Sequence, residues 1–348
     1  MTLEPALGLS VMVVDDSALA RQVLSTLLTA AGMQVQVAHD PLFALQKMER
    51  WRPDVLVLDL EMPRMDGLTF LRLLKKGHDI PVVVCSAVTE ERGEKALRAL
   101  EQGAVEVVTK PKTGLREFLY ESAIILVDAV RAAAQTRPAF ERSRVGRAPD
   151  LPRPALPRRR ADRLLVAIGA STGGPEAVRR ILADWPSDGP PIVVVQHMPE
   201  GFTRPFAARL DESSRIDVRE AKSGDVLESG LALIAPGGRH LSVRRRLDRL
   251  LVEVADGPLV SRHRPSVDVL FRSVAEAAGS QAVGVLLTGM GDDGANGLRI
   301  MKEAGAPTLA QDEASSVVFG MPKAAIDVHA VDEVLPLERM AEAIMKRC

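Results

Sequence analysis

LLVAIGASTGGPEAV, residues 164–178, runs from an apolar β-type segment through a glycine-rich turn into a helix-type pattern. Within it, Gly169-Ala170-Ser171-Thr172-Gly173 satisfies G-x-S-x-G, and Gly174 and Pro175 open the helix. In a strand–turn–helix context this spacing is that of a nucleophile elbow. Small residues let the backbone turn sharply, so the hydroxyl projects beyond the sheet edge. The following helix turns free amides and the positive end of its dipole toward developing negative charge. A dinucleotide phosphate loop would need G-x-G-x-x-G, but Ser171 stands where the second glycine belongs. The next β-type run also ends in Gln196-His197 instead of an acidic residue.

A serine nucleophile needs a base, and IVVVQHMP (192–199) carries His197 at the end of the next strand candidate. A third partner, a carboxylate, is available after another strand: VGVLLTGMGDDG (283–294) offers Asp292 and Asp293 in a glycine-rich loop. The chain order Ser…His…Asp differs from the usual Ser…Asp…His of α/β hydrolases, but such constellations are defined by geometry and roles. Strands are expected at Leu164–Ile168, Ile192–Val195, Leu231–Ile234 and Val283–Leu287, giving a second doubly wound α/β domain over 163–348. Leu241–Val243 and Leu250–Val254 read as a hairpin flanking a basic stretch, Arg244–Arg249.

Upstream, β-type runs at Leu9–Val14, Gln34–Ala38, Val55–Leu58, Ile80–Cys85 and Val105–Val108 alternate with helical patterns near 17–31, 41–50, 67–76, 91–102 and 113–134. Five βα units predict a doubly wound parallel sheet, placed at residues 8–125. Residues 126–162 form the expected linker, its later part carrying five prolines and many arginines without apolar periodicity.

Asp15 and Asp16 follow the first strand candidate and Asp59 closes the third, so they converge where open parallel sheets bind ligands. Carboxylates crowded there repel unless a cation shares them, and oxygen-only ligation points to Mg²⁺. Ser86 after the fourth strand and Lys110 after the fifth could hold the oxygens of a phosphoryl group.

Net charge is −1, which gives no global field toward nucleic acid, and two cysteines give neither a disulfide framework nor a metal cluster. The amino terminus lacks the pattern of a signal peptide, and no apolar run reaches the ~20 residues needed to span a bilayer. A cytoplasmic protein without membrane insertion is expected.

VVDDS, LDLEMPRMDGL, Ser86 and TKP together resemble the receiver domain of bacterial response regulators over residues 8–125. The resemblance implies a flavodoxin-like fold in which Asp59 accepts a phosphoryl group from a histidine kinase. Asp15, Asp16, Asp59 and the Glu61 carbonyl would bind Mg²⁺, and Ser86 and Lys110 would read the phosphoryl group. Val107 and Val108 depart from the pattern, since many receivers carry an aromatic two or three residues before the lysine.

GASTGG, QHMP, LTGMGDDG and RHRPSVDVLF (262–271) resemble the catalytic domain of the chemotaxis protein-glutamate methylesterases, the CheB family. That resemblance implies that Ser171 attacks, His197 is the base and Asp293, chosen over Asp292 by the TGMG-x-D alignment, orients the histidine. The Met290 amide would serve the oxyanion hole and Thr172 would line the site, with His263 and the Arg264–Asp268 stretch nearby. His39, His78, His240 and His329 are expected at the surface or in packing. The implied substrates are methylated glutamates, and certain glutamines, of methyl-accepting chemoreceptors; ester hydrolysis would need no cofactor. The unphosphorylated receiver is expected to hinder the cleft until Asp59 is phosphorylated.

Overall fold

Continuous apolar runs such as VLVL (Val55–Leu58) are buried along their whole length, as strands covered by helices on both faces must be. The structure is a computed structural model that describes residues 8–87, 90–110, 116–136 and 165–348. These form two compact units, one on each side of residues 137–164. No helix among the described residues is long and apolar enough to cross a membrane.

The first unit runs β1 (Ser10–Val14), α1 (Ala18–Ala30), β2 (Gln34–Ala38), α2 (Pro41–Met48), β3 (Val55–Leu58), α3 (Gly67–Gly77), β4 (Val82–Ser86), α4 (Glu90–Glu101), β5 (Glu106–Thr109) and α5 (Arg116–Ala134). Its strands pair in parallel in the order β2-β1-β3-β4-β5. Ser17, Asp40 and Asp66 start α1, α2 and α3 by accepting a backbone amide of the first turn, so polar residues after the strands fix where each helix begins. Several strand ends shift by one or two residues from the sequence reading, and two boundaries bear on the site and on the expected linker. Ser86 is the last residue of β4, in register with Thr109, instead of following the strand. The helix α5 continues past 125 to Ala134 with Leu126, Val130 and Ala133 buried, so the first part of the expected linker is helical and packed. The proline-rich remainder of that linker lies outside the described residues.

The second unit contains β6 (Leu165–Ala170), α6 (Gly174–Ala183), β7 (Ile192–Gln196), α7 (Thr203–Ser213), β8 (Asp217–Glu220), β9 (Leu231–Ile234), β10 (His240–Arg246), β11 (Arg249–Ala255), α8 (Val267–Ala278), β12 (Ala282–Leu286), α9 (Ala295–Glu303), β13 (Thr308–Gln311), α10 (Met321–Asp327), β14 (Glu333–Leu335) and α11 (Leu337–Arg347). A seven-stranded, all-parallel sheet has the order β14-β13-β12-β6-β7-β9-β8. The chain leaves β6 toward β7 on one side and later returns to lay β12 on the other. The β6/β12 seam is therefore the switch point, where the fold leaves a crevice at the carboxyl ends of the strands. One hydrophobic cluster, including Leu165, Val193, Val267, Leu270, Phe271, Leu286 and Leu298, ties α8 and α9 to this sheet.

β8, β13 and β14 have no counterpart among the expected strands. They are short and partly polar (DVRE, TLAQ, EVL) and lie at or next to the sheet edges, so burial patterning marks them weakly. The basic stretch is not a loop between hairpin strands: β10 and β11 run through it and leave only Leu247 and Asp248 as the turn. Arg244 pairs across the strands with Glu253, and Arg245 donates to the Ala277 carbonyl, so these arginines act as strand residues.

At the entry to α6, Gly173 has φ +80°, and a Cβ on Gly174 would lie 2.0 Å from Gln196 Oε1 and 2.7 Å from Ala170 Cβ. Gly174→Ala is expected to cost about 1–3 kcal/mol through this overpacking. The check is the urea midpoint of the full chain, and an unchanged midpoint would refute the packing argument.

Candidate active site and phosphoacceptor site

Ser171 follows β6 directly, and its amide donates to the Thr288 carbonyl beyond β12 across the switch-point seam (3.0 Å). On the other side, the His197 amide donates to the Ala170 carbonyl at 3.0 Å, so parallel pairing of β6 with β7 brings nucleophile and base candidates to adjacent strand ends. Gln196 locks the two together. Its buried Nε2 donates to the carbonyls of both Ser171 (2.9 Å) and His197 (3.0 Å).

His197 meets Asp293 through Nε2, 2.8 Å from Oδ2, while its Nδ1 is buried and has no hydrogen-bond partner among the described residues. An ionised carboxylate accepts only, so Nε2 carries a proton, and in the neutral ring Nδ1 presents a lone pair. The serine-protease template has the opposite arrangement, with Nδ1 toward the aspartate. Asp292 is exposed, whereas Asp293 is 1% exposed and wrapped in donors. Its Oδ1 accepts from Ser266 Oγ (2.8 Å) and the Asp268 amide (3.1 Å), and its Oδ2 also accepts from the Val267 amide (2.7 Å). Burial pushes the Asp293 carboxyl upward. The His197 hydrogen bond, the two nearby imidazoles and the Asp268 amide outweigh burial and hold it below the ordinary carboxylate range.

His263 lies flat on His197, with ring centroids 3.7 Å apart and planes 9° from parallel. Burial, then the neighbouring His197 and Arg262 charges, drive its pKa well below the usual histidine value, so it stacks as a neutral ring. The turn that delivers it carries two successive left-handed residues, Ser261 (φ +48°) and Arg262 (φ +66°). Thr172 is buried, and its carbonyl accepts from Thr288 Oγ1 at 2.9 Å. The Met290 amide makes no hydrogen bond among the described residues and lies on the same loop as Asp293. Gly289 allows this loop to approach, since a Cβ there would sit 2.7 Å from Ser171 Cβ.

Several contributors lie within the quoted motifs but carry no role that a sequence reading assigns. Ser266 reaches the site by one hydrogen bond, to Asp293, and Gln196 by two, to the Ser171 and His197 carbonyls. Thr288 receives the Val317 and Val318 amides, both at 3.0 Å, and Gln311 Oε1 accepts the Thr288 amide. Of the histidines set aside as surface or packing, His240 is buried. It bonds to the Pro258 carbonyl at 2.8 Å and accepts the Ser266 amide at 3.3 Å, one step behind Asp293.

In the first unit, Asp15, Asp16 and Asp59 have ligand oxygens within 4.8 Å of one another. Asp59 follows β3 with its amide on the Val14 carbonyl, which pins it beside the end of β1. Lys110 Nζ lies 2.7 Å from carboxylate oxygens of both Asp15 and Asp59. Burial raises the Asp59 pKa, opposed by Lys110 and assisted by the Asp15 charge. Three convergent hard-oxygen donors, two of them buried, fit a hexahydrate-derived Mg²⁺. Ser86 is buried at the end of β4, and the Glu61 carboxylate accepts from Lys95 at 3.1 Å. Val107 and Val108, at the aromatic position of many receivers, are buried in β5.

Residues 11–119 match the response regulator receiver domain and residues 166–344 match CheB methylesterase. A Geobacter metallireducens protein named protein-glutamate methylesterase/protein-glutamine glutaminase 3 is 50% identical, covering 98% of this chain and 99% of that protein. Protein-glutamate methylesterase/protein-glutamine glutaminase 5 of Anaeromyxobacter dehalogenans is 54% identical over 97% of this chain and 96% of its own length. The solved CheB methylesterase catalytic domain of Thermotoga maritima is 39% identical with a TM-score of 0.52, covering 53% of this chain and 98% of that one. Full-length identity, both domain matches and a shared catalytic-domain fold lead to one conclusion: the chain belongs to the CheB methylesterase family, with a response regulator receiver domain ahead of the methylesterase domain.

Proposed function

We propose that this chain is a phosphorylation-activated protein-glutamate methylesterase and protein-glutamine glutaminase acting on methyl-accepting chemoreceptors in the cytoplasm. The observation that carries the reading is the buried His197–Asp293 pair set beside the Ser171 elbow at the switch point of the sheet. Ser171 Oγ attacks the γ-carbonyl of a glutamate methyl ester while His197 Nδ1, the nitrogen not committed to Asp293, takes the hydroxyl proton. The oxyanion is held by the Met290 amide, with Thr172 lining the pocket. The C–O bond breaks, His197 returns the proton to the departing methoxide, and methanol leaves. Water, deprotonated by His197, then attacks the acyl-serine; the products are the γ-carboxylate and free Ser171. A glutamine side chain follows the same course with ammonia leaving. This chemistry needs no metal or cofactor in the second unit.

In the first unit, Asp59 is assigned as the acceptor of a phosphoryl group from a histidine kinase. Mg²⁺, held by Asp15, Asp16, Asp59 and the Glu61 carbonyl, supplies charge neutralisation for the transfer when bound. Ser86 and Lys110 bind the oxygens of the transferred group. Lys110 already sits against Asp15 and Asp59, so it needs only to follow the new charge.

Methanol release from methylated receptor tests the reading. The wild-type chain should release methanol, and Ser171→Ala should reduce this by about 10⁴-fold or more. Asp293→Asn, which imposes the wrong imidazole tautomer, should cost about 10³–10⁴-fold in kcat. Ser171-independent or absent methanol would leave a scaffolding module in place of an enzyme. Hydrolysis confined to small esters would instead mark a small-molecule esterase.

A small phosphodonor with Mg²⁺ should raise the wild-type rate. Asp59→Ala should abolish that rise and keep the Ser171-dependent release. Equal stimulation of Asp59→Ala would sink the phosphorylation switch, and withdrawing Mg²⁺ should remove stimulation from the wild type as well.

A further inference from the structure

The second unit buries another carboxylate beside the Ser171–His197–Asp293 group. Asp268, in the first turn of α8, is 2% exposed. Its Oδ1 accepts from the Gly294 amide (3.1 Å) and the Gly297 amide (2.6 Å), and its Oδ2 lies 3.5 Å from Arg272 Nη2. Gly294 and Gly297 flank the start of α9, immediately after Asp293. Asp293 in turn accepts from Ser266 Oγ and the Val267 and Asp268 amides, which form the start of α8. Each carboxylate therefore caps the helix that begins beside the other, and the two caps close a ring of hydrogen bonds through both helix starts.

The packing makes this exchange specific. A Cβ on Gly297 would lie 2.8 Å from Phe271 Cβ and 3.1 Å from the Asp268 Cα, so the helices touch backbone to backbone at that point. Neither α9 nor its preceding residue has a side-chain cap of its own: Gly294, at φ +92°, makes no side-chain cap hydrogen bond. The orphan amides of that turn are served from across the interface, by Asp268. Burial and the Asp293 charge raise the Asp268 pKa, opposed by the Gly297 amide, Arg272 and the Gly294 amide.

We propose that Asp268 is a positioning residue for hydrolysis, holding the Gly294–Gly297 turn so that Asp293 meets His197 Nε2 and not merely the helix start. It touches no reacting atom and acts through Asp293. The inference rests on the hydrolytic reading of Ser171, His197 and Asp293. Loss of the cap frees the turn, and misplacement by about 1 Å of a group that orients the base is enough to cost about 10²-fold in rate.

The experiment uses the full chain with methylated receptor and follows methanol release against pH. The groups facing His197 are Asp293 on the loop after β12 and His263 on the turn before α8, with Arg262 beside His263. In Asp268→Ala, kcat should fall about 10²-fold with KM within about two-fold, and the acid limb of the kcat/KM profile should move to lower pH as the base loses its carboxylate. Asp268→Asn, which keeps an acceptor oxygen for both glycine amides, should restore the limb and most of kcat. Should Asp268→Ala fail to fold, Asp268→Glu takes its place: it keeps the charge but overreaches the amides, and should move the limb the same way.

A folded Asp268→Ala or Asp268→Glu with wild-type kcat and an unmoved limb would overturn the proposal. So would a loss of rate that Asp268→Asn shares in full. Amide hydrogen exchange at Gly294 and Gly297, accelerated in Asp268→Ala, reads the cap without any activity. A wild-type chain that releases no methanol while these amides respond as expected places the failure in the hydrolytic reading instead.

Discussion

A carboxylate that is 1% exposed must have its lost water replaced by donors, and Asp293 has four: Ser266 Oγ, the Val267 and Asp268 amides, and His197 Nε2. The hydrolytic site depends on that solvation shell. It keeps Asp293 ionised despite burial, and the ionised form is what obliges Nε2 to be the protonated nitrogen of His197. It also explains why RHRPSVDVLF, which contributes no nucleophile or base, belongs to the site. His263, Ser266 and the amides of Val267 and Asp268 all come from it.

Both units solve the problem of gathering charge at the ends of parallel strands, with opposite means. At the β1/β3 ends, Asp15 and Asp59 stand close together with Lys110 against both, an arrangement suited to a hard cation and a transferred phosphoryl group. At the β6/β12 seam, one carboxylate is held by an imidazole and helix amides, and His263 stacks on that imidazole. The same topology therefore hosts an electrostatic trap in one unit and proton chemistry in the other. The difference lies in what the loops after the strands carry.

The fold class was legible because its signals are local. Buried strands such as VLVL and IVVVQ are unbroken apolar runs, and the elbow after β6 needs small residues at fixed spacing. Ser171, His197 and Asp293 each end or follow a strand, so pairing in a parallel sheet sets the His197–Asp293 pair at the strand end next to Ser171. β13 and β14 were not legible, because short strands near a sheet edge have little apolar contrast. The roles of Ser266, Gln196 and Thr288 were hidden for another reason, although all three lie within the quoted motifs. Each works through hydrogen bonds to residues mostly far away in sequence, and serine, glutamine and threonine carry no expectation of such partners. The last helix of the first unit was legible near 113–134, and α5 runs to Ala134 with Val130 and Ala133 packed inward, across the expected domain end at 125.

The orientation of His197 has a consequence for the reaction cycle proposed above. Its Nε2 is held by Asp293, and its face is covered by His263, so the ring cannot turn over without breaking a buried hydrogen bond and unstacking two rings. On the proposed mechanism Nδ1, the nitrogen closer to the main chain, therefore receives and returns every proton, in acylation and deacylation alike. The histidine works as a single-port device. A substrate or inhibitor has to fit a proton path that begins next to the backbone of β7, a geometry that inhibitors shaped for the opposite imidazole orientation would not match.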